Sequence, residues 1–266
     1  MKLSYALCFD VGKVRSNNED NFYCDGLIRS DVSQNADFQT GSAKASRFLA
    51  AVCDGMGGEA CGELASLLAV QHLAPCALSD AAEWAVSDLQ AANDAICLTA
   101  RAGGGQPMGS TATLLYIDRD TAIPVNVGDS RIYLLRDGCL QQLTTDHCKS
   151  ERLVSLGLLT PEQARSHPSK HELTQYLGIP RTEMLLEPQI GAPLPLRPGD
   201  TFLLCSDGLT DMVDDAAIAH TLISSGSAGK MAQSLVQQAL AAGGRDNVTV
   251  LVVQVDVPLW KRFLNR

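Results

Sequence analysis

Short apolar runs that stop at an aspartate recur along this chain and restrict the folds that it can adopt. Phe48–Cys53 precedes Asp54-Gly55, and Phe202–Cys205 precedes Ser206-Asp207-Gly208. Apolar runs of about four to eight residues that are followed by turn residues are typical of β-strands. The same reasoning predicts strands at Leu114–Ile117, Ile123–Val127, Ile132–Arg136 and Val248–Val255.

Stretches rich in Ala, Leu and Gln predict helices between these strands. Pairs of long helices separate groups of strands, and strand and helix do not alternate regularly. This order favours an α+β fold with antiparallel, hairpin-paired strands over a doubly wound parallel sheet. The predicted helices are Gly62–Leu73, Ala81–Arg101, Ala216–Ser224 and Lys230–Ala241.

Residues 146–177 are less apolar than their surroundings and predict a surface insertion, here called the flap. Within it, Glu151–Leu156 and Pro161–Ser166 have short helical patterns. The chain as a whole is 45% hydrophobic and 19% charged. This composition supports a sizeable core and excludes a disordered or coiled-coil protein. The length of 266 residues is compatible with one large domain or two small ones.

The net charge narrows the class of partner. With 21 Lys and Arg against 30 Asp and Glu, the formal charge is −9. The chain lacks the basic excess of a nucleic-acid-binding protein, so no nucleic-acid partner is expected. An anionic substrate would have to be attracted locally, for example by a bound cation.

The cysteines and the N-terminus predict a soluble, cytoplasmic protein. Nine cysteines are scattered without a CxxC motif, which indicates free thiols in a reducing compartment. The first apolar stretch is short and ends at Asp10, unlike a signal peptide. No apolar run approaches the roughly 18 residues that cross a bilayer. The basic tail, residues 257–266, is interpreted as a solvated end, and membrane contact is not expected.

Three motifs suggest other chemistry and are each incomplete. Residues 55–60 fit G-x-G-x-x-A and would suit a nucleotide-binding oxidoreductase, but a helical pattern leads into the acidic residue that should follow. Residues 104–111 imitate a phosphate-binding loop but have Ser110 where Lys is required. Cys148 and Arg152 are separated by three residues, too few for the loop of a cysteine phosphatase.

Four aspartates at strand ends form the strongest chemical signal. A carboxylate beside an apolar strand is costly unless it is paired or bound to a metal ion. Several of these aspartates are flanked by glycine, which lets the backbone approach a ligand. Together they predict a site for hard divalent cations. They are Asp54, Asp129, Asp207 and Asp246.

These residues lie in six short motifs whose order resembles the metal-dependent serine/threonine protein phosphatases, type 2C. The resemblance extends from Tyr5 to Asp256, nearly the whole chain, and Met56 after Asp54-Gly55 is similar to the bacterial branch. The motifs are Arg15-Ser-Asn-Asn-Glu-Asp-Asn, Val52-Cys-Asp-Gly-Met-Gly-Gly, Gly109-Ser-Thr-Ala-Thr, Asn126-Val-Gly-Asp-Ser-Arg-Ile-Tyr, Cys205-Ser-Asp-Gly-Leu and Gly244-Arg-Asp-Asn-Val-Thr.

For the fold, the resemblance implies a four-layer α-β-β-α sandwich: two antiparallel sheets packed together, with helices outside each. Residues 1–256 would form a single phosphatase domain, followed by the tail 257–266. The metal site would lie at one end of the sandwich, with the flap 146–177 beside it.

For the site, the resemblance implies two core Mg²⁺ or Mn²⁺ ions and a weaker third. Asp54 would bridge the core ions, the Gly55 carbonyl would bind one, and Asp207 and Asp246 would hold the other. Glu19 and Asp20 would act through water, and Arg15 would contact the substrate phosphate. The third ion would lie between Asp129 and Asp207.

The implied reaction is hydrolysis of phosphoserine and phosphothreonine in proteins by an activated water, without a protein nucleophile. Phosphorylated proteins, and a serine/threonine kinase that the enzyme opposes, are the expected partners in signalling. Met56 stands where many eukaryotic members have His, and it cannot protonate the leaving group; His147 is a weak substitute. An inactive binding module and a nucleotide-binding oxidoreductase are the alternatives.

Overall fold

Two antiparallel β-sheets, packed face to face, form the centre of the protein. The computed structural model describes residues 1–57, 61–73 and 81–256. In chain order, the strands are β1 Lys2–Asp10, β2 Asn21–Cys24, β3 Leu27–Ile28, β4 Ala36–Lys44, β5 Ser46–Cys53, β6 Gly55–Gly57, β7 Met108–Ser110, β8 Ala112–Asp118, β9 Thr121–Val127, β10 Arg131–Arg136, β11 Cys139–Gln142, β12 Gln189–Ile190, β13 Leu194–Pro195, β14 Thr201–Cys205 and β15 Val248–Val255.

The strand order within each sheet brings distant parts of the sequence together. The first sheet has the order β11-β10-β14-β15-β1-β4. The second has the order β12-β9-β8-β5-β2-β3, with β13 also paired to β9, and β6 and β7 form a separate two-stranded ribbon. Both ends of the described chain therefore lie in one sheet, because β1 pairs with β15.

Helices cover the outer face of each sheet. The two longer helices of the first half, α1 and α2, pack on the second sheet, and α6 and α7 pack on the first. The helices are α1 Gly62–His72, α2 Ala81–Ala102, α3 Lys149–Ser155, α4 Pro161–Arg165, α5 Asp207–Thr210, α6 Asp215–Ser224 and α7 Ala228–Ala241, with a short 3₁₀ helix at Pro168–His171.

The period-two alternation of β15 shows how the layers form. Leu251 and Val253 point into the core between the two sheets, whereas Val250 and Val252 point toward α6 and α7. Both faces of this strand are buried, which explains its nearly continuous apolar sequence. The predicted α+β, four-layer α-β-β-α sandwich is confirmed.

Every predicted strand and helix is present. Val248–Val255 has the predicted bounds, and the other five predicted strands are longer by one to three residues. Several strands were not predicted from the sequence: the long strands β1 and β4 and the short strands β2, β3, β6, β7, β11, β12 and β13. The strand β4 lies at a sheet edge and reads Ala-Asp-Phe-Gln-Thr-Gly-Ser-Ala-Lys, so it lacks the apolar run that identified the others. No helix in the described part of the chain is long and apolar enough to cross a membrane. The predicted tail, residues 257–266, lies outside the described residues.

Candidate metal centre

The register of the second sheet places Asp20 beside Asp54. Asn21, the first residue of β2, pairs with Cys53, the last residue of β5. Asp20 immediately precedes β2 and Asp54 immediately follows β5, so their positions at the same sheet end follow directly from this pairing.

The first sheet brings the other aspartates to the same end of the sandwich. Arg131 at the start of β10 pairs with Cys205 at the end of β14. Asp129 therefore lies close to Asp207, each two residues from its strand. Asp246 precedes β15, whose first residues lie next to the end of β14.

The backbone of Asp54 is held by two hydrogen bonds, and the residue lines the cleft described below. Its N–H donates to the Thr111 hydroxyl at 2.9 Å, and its carbonyl accepts from the Thr111 N–H at 2.8 Å. Burial raises the pKa of Asp54 well above its usual range, and the nearby charges of Asp20 and Asp207 raise it further. The fold thus concentrates negative charge at this point.

Asp20 is fully buried, and only one of its two carboxylate oxygens accepts hydrogen bonds. Its Oδ2 accepts from the hydroxyl groups of Ser206 and Thr249, each at 2.7 Å. Its Oδ1 is buried with no hydrogen-bond partner among the described residues. Burial raises the pKa of Asp20 to about 7, against the effect of the two hydroxyl donors.

The backbone of Glu19 is fixed on both sides. Its N–H donates to the side-chain carbonyl of Asn247 at 2.7 Å. Its carbonyl accepts from the Gly55 N–H at 3.2 Å and from the Ser66 hydroxyl at 2.6 Å. The Glu19 carboxylate lies against Gly62 at the start of α1.

Two glycines of the motifs are required because backbone atoms of neighbouring loops lie very close to them. A Cβ at Gly55 would collide with the backbone carbonyls of Gly62 and Glu19. A Cβ at Gly208 would collide with the carbonyl of Asn247. These contacts are with backbone atoms, which cannot move away as a flexible side chain can, so any larger residue would displace the loops.

Asp129, Asp207 and His171 each place a potential ligand atom within 4.8 Å of the others. His171 belongs to the 3₁₀ helix of the flap. Its Nδ1 lies 3.6 Å from Asp207, and its Nε2 lies 3.3 Å from Asp211. Asp207, more than Asp211, raises the pKa of His171. Burial raises the pKa of Asp129 to about 8, and Asp207 adds to this shift.

His171 was not predicted as a site residue. The residue has no motif of its own, and only the path of the flap brings it to Asp207. His147 was the histidine considered from the sequence. That side chain does not line the cleft described below; its Nδ1 accepts from the Gly128 N–H at 3.3 Å, and burial lowers its pKa.

Arg15 is linked directly to the aspartate cluster. Its Nη2 donates to Oδ2 of Asp246 at 2.8 Å. The Arg15 side chain is 51% exposed, so its remaining N–H groups can contact a ligand in the cleft.

A cleft of about 630 Å³ unites most of the predicted site residues. Asp20 does not line it and lies behind it, buried. The predicted residues that line the cleft are Arg15, Glu19, Asp54, Gly55, Asp129, Asp207 and Asp246.

The incomplete motifs have structural roles. Gly55–Gly57 and Met108–Ser110 pair as the antiparallel strands β6 and β7, so each glycine-rich segment contributes one strand of this ribbon. Residues 58–60 of the first motif lie outside the described residues. Cys148 is buried, and burial raises the pKa of its thiol, which makes it a poor nucleophile.

These residues fit divalent cations. Oδ1 of Asp207, like Oδ1 of Asp20, is buried and lacks a hydrogen-bond partner in the described ranges. A buried carboxylate without a partner is costly in its charged form, and a hard cation with oxygen ligands offsets that cost. Such ions favour the carboxylate, carbonyl and water ligands that this cleft offers.

Comparison with known proteins places the chain in a family. The Protein phosphatase 2C family matches residues 26–242. The protein phosphatase PhpP of Streptococcus pneumoniae serotype 2 is 33% identical over 261 residues, which cover 96% of this chain and 98% of PhpP.

Solved structures agree over nearly the whole chain. The Mycobacterium tuberculosis serine/threonine phosphatase PstP/Ppp is 35% identical, with a TM-score of 0.80, over 97% of this chain and 100% of that one. The catalytic domain of PstP in complex with two manganese ions is 34% identical, with a TM-score of 0.78 and the same coverage. The chain belongs to the protein phosphatase 2C family and is a metal-dependent serine/threonine protein phosphatase.

Proposed function

We propose that Asp54, Gly55, Asp207 and Asp246 hold the two core ions, Mg²⁺ or Mn²⁺, with which this phosphatase hydrolyses phosphoserine and phosphothreonine. Asp54 would be a ligand of both ions, the Gly55 carbonyl would be a ligand of one, and Asp207 and Asp246 would hold the other. The observation that carries this proposal is the convergence of carboxylates from separate loops on one cleft. When bound, the ions activate water as the nucleophile and neutralise the charge of the phosphate.

Arg15 orients the phosphate. One guanidinium N–H is held by Asp246, which fixes the group beside the ion ligands. The other N–H groups are free to donate to phosphate oxygens in the cleft. A planar guanidinium suits this role because its donors match two oxygens of one phosphate.

Glu19 and Asp20 act on water molecules beside the ions. The fixed backbone of Glu19 holds its carboxylate at the cleft wall, next to the start of α1. Asp20 offers Oδ1 as an acceptor, since its other oxygen is already bound by Ser206 and Thr249. Both side chains would orient water by hydrogen bonds.

Asp129 and Asp207 would hold a weaker third ion, with His171 as a further ligand. The distances among these three side chains support this assignment. A site with few protein ligands binds Mg²⁺ weakly, because the ion keeps much of its hydration shell. Met56 also lines the cleft and cannot donate a proton, so the leaving group is protonated by water or by another residue.

The domain organisation and the cellular setting belong to the same proposal. Residues 1–256 act as one phosphatase domain, supported by an interior that contains both Leu3 and Val255. The enzyme opposes a serine/threonine kinase in the cytoplasm. Free thiols at all eight cysteines in the described ranges suit a reducing compartment. Phosphorylated proteins are the substrates of the family.

Metal-dependent hydrolysis tests the residue assignments. The assay measures turnover of an aryl phosphate and of a phosphothreonine peptide with Mn²⁺ and after addition of EDTA. We expect activity with both substrates only when the metal is present. Peptide hydrolysis that survives EDTA and dialysis would contradict the proposal. Loss of Mn²⁺ binding in Asp54→Asn, measured by calorimetry, would support the role of Asp54.

A further inference from the structure

Arg245 lines the cleft and has no carboxylate partner. It is the residue before Asp246, and its side chain is exposed. Within the described ranges, no hydrogen bond or ion pair holds its guanidinium, which distinguishes it from the other basic side chains of the cleft. Those are Arg15 paired with Asp246, Lys170 with Asp211, and His171 with Asp211.

The backbone that carries Arg245 is fixed to the loop that carries Arg15. The Lys13 N–H donates to the Gly244 carbonyl at 2.7 Å. The side-chain amide of Asn247 donates to two carbonyl groups of the same loop, at 2.9 and 3.0 Å. Arg245 thus presents an unpaired guanidinium to the cleft from a loop that is hydrogen-bonded to the loop of Arg15.

The acidic residues of the cleft already hold its other basic groups. Asp211, which lines the cleft, pairs with Lys170 and His171, and Asp215, which lines the adjoining cavity of about 560 Å³ beneath the flap, pairs with Arg165. A carboxylate bound beside Arg245 would therefore meet a guanidinium that no acidic residue of the described ranges neutralises. Charges arranged in this way select among ligands more strongly than they raise affinity for all of them.

We propose that Arg245 selects phosphoproteins in which a carboxylate side chain lies next to the phosphoserine or phosphothreonine. This inference rests on the proposed function, because a phosphate held at Arg15 places the neighbouring substrate residues within reach of Arg245. A guanidinium can bind a carboxylate through two parallel hydrogen bonds. In a chain of net charge −9, a local positive group beside the phosphate site favours an acidic residue at that position of the substrate.

The experiment compares three phosphothreonine peptides that differ only in the flanking residues, which are Glu, Gln or Lys. The measured quantity is the ratio of kcat/KM between peptides for one enzyme, so a general change in turnover cancels. For the wild type we expect a preference for Glu over Gln of about two- to fivefold, as an exposed ion pair provides. Arg245→Gln should bring this ratio to about one, and Arg245→Glu should favour the Lys peptide.

A matched control separates the effect of the local charge at Arg245 from the effect of the net charge of the protein. Arg101→Gln changes the net charge by the same amount at the exposed end of α2, away from the residues that line the cleft, and should keep the wild-type ratio. Equal hydrolysis of all three peptides by the wild type, or a ratio unchanged in Arg245→Gln, would overturn the inference while leaving the proposed function intact. Failure of the wild type to hydrolyse any phosphopeptide would instead refute the proposed function.

Discussion

The hydroxyl oxygens of Thr111 and Ser130 lie 2.9 Å apart and connect the loops of Asp54 and Asp129. Thr111 accepts from the Asp54 N–H, so its own hydroxyl proton is available to Ser130. Ser130 directly follows Asp129. One buried hydrogen-bond chain therefore joins a proposed core-ion ligand to a proposed third-ion ligand.

The first prediction concerns this connection. Thr111→Val keeps the shape of the side chain but leaves the Asp54 N–H without its acceptor, which costs about 1–3 kcal/mol when the group stays buried. We expect a lower melting temperature and weaker Mn²⁺ binding, measured by calorimetric titration. Thr111→Ser retains the hydroxyl and should bind Mn²⁺ much as the wild type does. Equal Mn²⁺ affinity in the Val variant would show that the hydroxyl does not position Asp54.

The second prediction concerns the charge of Asp54. Asp54→Asn removes one buried negative charge from a cluster that already raises the pKa of this carboxyl. Without metal, we expect the variant to melt no lower than the wild type. With Mn²⁺, the wild type should gain stability, on the order of 2.7 kcal/mol at a hundredfold excess over Kd. The variant should gain much less and should hydrolyse neither substrate; a full Mn²⁺ shift in its melting temperature would remove Asp54 from its assigned role.

Strands could be predicted from the sequence where their own residues form a continuous apolar run. The apolar run Val248–Val255 is buried on both faces, so its composition alone identifies it. The edge strand Ala36–Lys44 alternates between exposed and half-buried positions and contains few large apolar residues. Its pairing with Lys2–Asp10 is a tertiary contact that no local pattern encodes.

The same distinction applies to the site. Asp54 and Asp207 could be identified because each follows a recognisable strand and precedes a glycine. His171 and Arg245 were not identified, because their relation to the cleft depends on how the flap and the 243–246 loop pack. The resemblance to a family assigned roles to some motif residues only: Arg245 lies within the sixth motif but received no role, and His171 lies outside all six motifs.

The third prediction concerns phosphate recognition by Arg15. Arg15→Ala should mainly raise KM for a phosphopeptide if the guanidinium binds substrate and transition state equally. The Asp246 carboxylate would also lose its partner, so Mn²⁺ affinity must be measured in parallel. Arg15→Lys keeps the charge without the paired donors and should fall between the wild type and the Ala variant. A lower kcat with unchanged KM would mean that Arg15 acts on the transition state alone, and no effect on either constant would exclude contact with the phosphate.

The last prediction separates the third ion from the core ions. Asp129→Ala leaves Asp54, Asp207 and Asp246 in place, so two tightly bound ions and a normal melting temperature should remain, while turnover of a phosphopeptide falls. His171→Gln should weaken the third ion as well, by about tenfold or more, since changes near a metal commonly have effects of that size.

Calorimetric titration with Mn²⁺ would resolve the weak site from the tight ones in both variants. His220→Gln removes an exposed imidazole of α6 that does not line the cleft, and it serves as the matched control. Loss of the two tight ions in Asp129→Ala, or wild-type turnover at saturating Mn²⁺, would refute the assignment of Asp129. A capping aspartate that only ordered Ser130 and Arg131 would give the opposite pattern: lower stability, with turnover per folded molecule unchanged.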